Sequence, residues 1–135
     1  TPALRVDMIL DSIKDIYAKL GPTFRQSDGE KKKATREDIR DNVLPLVFGV
    51  WDETVARSSA GDGAGVQGTA FFVGERSIAD LAVFSCRSGL NNLDHMTVES
   101  ERSEGSNLPL GKYANLEQLF NEVAAHPRVR AWYDK

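Results

Sequence analysis

The segment SIADLAVFSCRSGL, residues 77–90, constrains the fold more than any other stretch of the chain. From Ile78 to Cys86 the sole charge is Asp80, and no polar stripe interrupts the apolar side chains. Wound as a helix, this segment is apolar all round, so it is expected at the centre of a bundle with neighbours on every side. Its start is legible as well. Ser77 and Asp80 stand three residues apart in the S-x-x-D pattern of a capping box, in which each side chain satisfies the other residue's backbone N–H. A carboxylate carried into a buried helix without such partners would be costly, so the pairing is required as well as permitted.

A central helix needs covering helices, and the rest of the chain supplies them. In ALRVDMILDSIKDIYAKLG, Val6, Ile9, Ile13, Ile16 and Leu20 recur at spacings of three and four, with Met8 and Tyr17 on the shoulders. Gly21 and Pro22 are expected to stop this helix. After the polar connector TFRQSDGEKKKA, Thr35 with Asp38 predicts a second capped helix, with Ile39, Val43, Val47, Val50 and Trp51 on its buried side. Pro45 falls inside that pattern and should bend the helix or loosen one turn. Leu116, Leu119, Phe120 and Val123 mark a further amphipathic helix ending at His126, a residue suited to a helix C-terminus by the dipole. Pro127 then suits the first position of a short last helix, with Val129, Trp132 and Tyr133 facing inward. Between these elements, residues 91–113 read as polar loop, although Leu93 and Met96 could extend the central helix. TAFFV is the one strand candidate and has no partner strand. The expected fold is all-α, a single bundle of about five to six helices, with residues 1–135 as one domain large enough for a real core.

Several function classes are disfavoured. GAGVQG, residues 63–68, spells the G-x-G-x-x-G of dinucleotide-binding turns. That motif works only between a buried strand and a helix N-terminus, and here a helical pattern precedes it and an extended segment follows. Five of the eleven glycines crowd into residues 61–74, so the spacing is expected of a glycine-rich surface loop. The net charge of −3 lacks the basic excess of a nucleic-acid binder, and the run Lys31, Lys32, Lys33 sits beside Asp28 and Glu30 in a connector. Cys86 is the single cysteine, which excludes a disulfide framework and suits a reducing, cytoplasmic setting. In the middle of the apolar helix it reads as an inert buried thiol. His95 and His126 have no metal-ligand spacing with other residues, and no Ser-His-Asp arrangement is suggested. No apolar run is long enough to cross a membrane.

Three motifs converge on one family. FFVGERSIADLAVF resembles the helix-opening signature in the C-terminal domain of cytosolic glutathione transferases. The ending HPRVRAWYDK is similar to that family's closing His-Pro helix with its aromatic residue. VDMILDSIKD, with Asp7, Asp11 and Asp15 four apart, resembles the first helix of the domain in the sigma and pi classes. The three occur in the family's order along the whole chain. In two places the chain departs from the pattern: Ala114 stands where the family usually has Pro before Asn-Leu, and the glycine loop looks longer.

The resemblance implies a fold and a division of labour. Glutathione would be the co-substrate, its thiolate attacking an electrophilic carbon in a detoxifying reaction, and the protein would be a homodimer. The resemblance assigns Asp15 to the dimer-side contact with glutathione's γ-glutamyl ammonium, a cation that a carboxylate suits. From its position alone Asp15 reads equally as a solvated acid on a helix face. Tyr17, Leu20 and Phe24 fall where the family lines its electrophile pocket, though core or inter-domain packing would explain the same residues. Ser77 and Asp80 are structural under either reading. No catalytic residue and no metal ligand is expected in this chain, because thiol activation belongs to a thioredoxin-like N-terminal half that these residues do not contain. The chain opens on Thr1 rather than Met and is expected to be processed or part of a longer protein, and inactive alone. Helical domains of this type also serve as assembly modules in elongation-factor and synthetase complexes, and as crystallins, and these are the alternatives to an enzyme.

Overall fold

The computed structural model describes residues 1–60, 71–73, 75–96 and 113–134. The glycine motif at residues 63–68 and the Ser-rich acidic stretch lie outside them. Every regular element among the described residues is helical.

Helix α1 (Pro2–Arg25) opens with the Thr1 hydroxyl accepting from the Leu4 N–H and with Pro2 in the first turn, where its missing N–H costs nothing. Ile9, Ile13, Ile16 and Leu20 form its buried stripe. The helix does not stop at Gly21 and Pro22 but continues one more turn. That turn carries Thr23 into the interior, where its hydroxyl donates to the Leu20 carbonyl at 2.6 Å and accepts from Arg36 Nε at 2.9 Å. Buried packing and two hydrogen bonds outweigh the local helix breaker.

Helix α2 (Gly29–Asp38) also starts earlier than its apolar pattern suggests. Asp28 is the true N-cap, accepting from the Glu30 and Lys31 N–H groups, and Thr35 lies mid-helix. Nearly all of α2 is exposed; its buried residue is Arg36. The Arg36 guanidinium stacks over the Phe24 ring at 5.1 Å and donates to the Asp94 carbonyl at 3.3 Å. One turn on, Arg40 donates to the His95 carbonyl. The two arginines thus grip the chain just after α4, where His95 adopts a left-handed φ of 68°.

A π-helical turn (Ile39–Val43) joins α2 to α3 (Leu44–Ser59). Pro45 sits in the first turn of α3 and cannot donate to the ladder. Just ahead of it the Leu44 N–H reaches back five residues to the Ile39 carbonyl, so the loosened turn expected from Pro45 takes the form of a π turn. Leu44, Phe48, Trp51 and Val55 then face the core, with the Trp51 indole N–H on the Ser12 hydroxyl at 2.9 Å.

Helix α4 (Ile78–Asn91) packs between α1 and α5 (Ala114–Ala125), and α5 lies between α3 and α4 with the short α6 (Pro127–Tyr133) against it. The expectation of all-round burial for α4 needs correction. Ala79, Asp80, Val83, Cys86 and Leu90 are buried, but Ile78 is 63% exposed and Leu81 is exposed beside it. Trp132, expected to face inward, is 72% exposed. Helix α4 ends at Asn91, so Leu93 and Met96 do not extend it; Met96 reaches the core from the segment beyond. Phe71, Phe72 and Val73 are not extended strand but bend and turn, with the Phe72 side chain buried.

At α5, the cap comes from another helix. The Asp52 carboxylate on α3 accepts from the Leu116 N–H at 2.9 Å and from the Asn115 side chain at 3.3 Å. It serves the helix start at which Ala114 stands.

Thr23→Val keeps the branched shape but removes the oxygen that Arg36 Nε depends on. It is expected to lower stability by about 1–3 kcal/mol, the cost of a buried donor left unmatched, with Thr23→Ser much milder. Urea unfolding midpoints of the two variants check this.

Candidate functional site

The carboxylate of Asp80 gathers the polar groups at the head of α4. One oxygen accepts from the Ser77 N–H at 2.6 Å and the Ser77 hydroxyl at 3.0 Å; the other accepts from the Phe72 N–H at 3.1 Å. Ser77 and Asp80 form a capping box, and Asp80 is fully buried. Burial pushes its carboxyl above the usual value, while the donors of Ser77 and Phe72 pull the other way. The bond to Phe72 had no signal in the spacing, because it ties the cap to a turn eight residues upstream. It anchors the buried Phe72 ring, whose carbonyl in turn accepts from Arg5 of α1.

Of the side chains expected around an electrophile, Leu20 is buried in the core of this chain. Tyr17 and Phe24 are exposed but turn to different neighbours. The Tyr17 hydroxyl lies against Gly89, where an added β-carbon would sit 3.5 Å from it, and has the Cys86 thiol as a neighbour. Partial burial, then the neighbouring Cys86, raise the Tyr17 hydroxyl above its ordinary value. Phe24 lies on Arg36 instead. Burial pushes the Cys86 thiol up to about 11, Tyr17 opposing weakly, so at neutral pH it is a protonated, buried group.

Among the described residues, two surface grooves bear on the site. The first, of about 480 Å3, runs between α1 and α3, with exposed Leu4, Met8, Leu46 and Val50 along it and Arg5 and Arg57 at its edge. On α1 it extends to Ser12. Asp15 is exposed three residues further along the same helix, about one turn beyond the groove's end. The second, of about 420 Å3, lies between the head of α4 and the α5–α6 junction, where Ile78 and Leu81 meet Val129 under Arg76 and Arg128. Tyr17, Leu20 and Phe24 line neither groove. His126, expected as a C-terminal residue of α5, also caps α6: its Nδ1 accepts from the Arg128 N–H at 3.2 Å. Among the described residues no group of His, Cys, Asp and Glu could hold a metal, and no helix is long and apolar enough to cross a membrane.

Among the described residues six α-helices pack together, the capped α4 among them, and the sequence itself places the chain in a family. Residues 14–135 match the family described as glutathione S-transferase, C-terminal domain, and the chain belongs to that family. It is also similar to S-crystallin SL11 of Nototodarus sloanii, at 24% identity over 131 residues. That match covers 97% of this chain but 55% of the crystallin, so the chain spans about half the length of that relative. No solved structure gave a significant match.

Asp80→Ala strands three donors at one buried point and is expected to cost about 2–4 kcal/mol, more than an exposed cap would. Denaturant unfolding measures it, and a loss within error would show that the cap is not structural. The thiol of Cys86 is expected to react with iodoacetamide at pH 7.4 on the order of 100-fold more slowly in the native than in the unfolded protein, since both burial and a raised pKa oppose the thiolate. The native rate should rise steadily with pH above neutrality and level off only beyond about 11, where the thiolate becomes the main form.

Proposed function

We propose that this chain is the helical half of a glutathione transferase, in which glutathione thiolate adds to an electrophilic carbon while the half that precedes it activates the thiol. The family match across residues 14–135 carries this reading. The half-length coverage of the crystallin relative is consistent with a further domain of similar size.

The exposed surfaces fit such a partition. Ile78, Leu81 and Trp132 are large apolar side chains left open on α4 and α6, a surface suited to the thioredoxin-like half. The α1–α3 groove, with four exposed apolar residues, suits a second copy of the chain. Asp15 lies beyond the end of that groove on the same helix. A carboxylate there would reach past the dimer seam to the ammonium of glutathione held by the partner. Tyr17 and Phe24, both exposed near the end of α1, remain candidates for contact with the electrophile. The setting proposed for this activity is the cytoplasm, in detoxification.

A second reading is favoured by one observation: the relative at 24% identity is a crystallin by name. Under that reading, or as an assembly module, the fold is kept and the chemistry is absent.

Conjugation of glutathione to 1-chloro-2,4-dinitrobenzene by the intact protein separates the two readings. Activity supports the transferase; a folded intact protein that neither conjugates nor binds glutathione supports the structural role. Within the transferase reading, Asp15→Asn is expected to weaken glutathione binding about 5- to 30-fold, the scale of one charge-assisted hydrogen bond. Calorimetry on the intact protein reads this, and an unchanged affinity returns Asp15 to a solvated surface acid. The isolated helical half is expected to bind glutathione hardly at all, because one rim charge is a small part of a site.

A further inference from the structure

His126 stands at a junction between two helices with opposite demands. It closes α5, its N–H bonding the Val123 carbonyl at 3.1 Å, and it opens α6, its carbonyl accepting from Arg130 at 2.9 Å. A cation suits the C-terminal end of α5, whereas α6 needs an acceptor at its head. The side chain resolves the conflict in favour of α6: imidazole Nδ1 accepts from the Arg128 N–H at 3.2 Å. Only a neutral ring with its proton on Nε2 can do this, because imidazolium is a donor at both nitrogens.

We propose that His126 is a pH-sensitive cap, holding the first turn of α6 when neutral and releasing it when protonated. On protonation Nδ1 gains a hydrogen, the Arg128 N–H loses its acceptor, and two donors face each other. The surrounding charges divide. Arg76 from the segment before α4, and Arg128 and Arg130 on α6, oppose a positive ring. Glu122, one turn back on α5, and the carbonyl end of α5 favour it. The Asp80 carboxylate also borders the groove that His126 lines, but its oxygens are committed to Ser77 and Phe72. Glu122 and the arginines are exposed and screened, so the direct contact at Nδ1 decides the outcome. The cap and the proton exclude one another, so the stability of α6 is full at high pH and falls as pH drops through the range in which imidazole titrates.

The helix concerned is seven residues long and too short to hold itself together without its cap and its packing on α5. Its first turn supplies Arg128 and Val129 to the wall of the second groove, and its end carries the exposed Trp132. Acid therefore loosens that wall while the core, built from α1, α3, α4 and α5, stays in place. The inference concerns α6 itself and holds whether the protein is a transferase or a structural protein.

The test is NMR on the intact protein uniformly labelled with 15N, titrated from pH 8 to pH 5. Of the two histidines in this chain, His95 serves as the internal control. Expected are an Nε2–H tautomer for neutral His126, an Arg128 amide signal that moves with the midpoint of the His126 ring, and an about five-fold drop in amide protection over residues 128–130 on the acid side. His126→Asn, which accepts at every pH, should keep α6 protected throughout. An Nδ1–H tautomer, α6 signals indifferent to the ring's titration, or the same acid loosening in His126→Asn would each overturn the proposal.

Discussion

Asp80 brings a carboxylate into the interior, and the backbone around it is arranged to meet that demand. Desolvation alone would make the residue a liability. The N–H groups of Ser77 and Phe72 and the hydroxyl of Ser77 convert it into a junction that starts α4 and fixes the turn before it. Because Phe72 is held there, its ring fills the core and its carbonyl receives Arg5, which ties the junction to α1. Helix α4 packs against α1 and α5, so the direction in which it leaves this junction sets where both neighbours can lie.

Other polar groups repeat this arrangement at lower cost. Asp52 caps α5 from α3, Thr23 orients Arg36, and Ser12 receives the Trp51 indole. Each is a side chain of one helix satisfying a donor of another, and each makes helix packing specific where apolar contact alone would allow sliding. Arg36 is notable among them, a buried cation whose partners are a hydroxyl, a carbonyl and an aromatic face. With Arg40 it holds the chain after α4, where the left-handed His95 turns the backbone away.

For function, the fold divides the surface into a buried framework and exposed apolar faces on α1–α3 and α4–α6. Leu4, Met8, Ile78, Leu81 and Trp132 stand exposed on those faces, and the proposal that this chain is one half of a larger assembly rests on them. Asp15 alone among the expected ligand contacts needs nothing from the core. It stands exposed at the end of one such face.

The sequence by itself determined the helical class, the core stripes of α1 and α5, the capping pair at α4 and the family. These are written in local periods: apolar residues three and four apart, and Ser three before Asp. The α1 terminus, the start of α2 and the exposure of Ile78, Leu81 and Trp132 were decided by tertiary structure. Gly21 and Pro22 are a local stop signal, overruled because Thr23 gains Arg36 from another helix. Helix α2 carries no apolar stripe, so its one buried residue, a charged one, left no period to read. An apolar residue at helical spacing states that it wants covering, without stating by what. Leu20 found the core, while Ile78, Leu81 and Trp132 did not, because covering depends on which helices meet, and that is a property of the packed chain rather than of any segment.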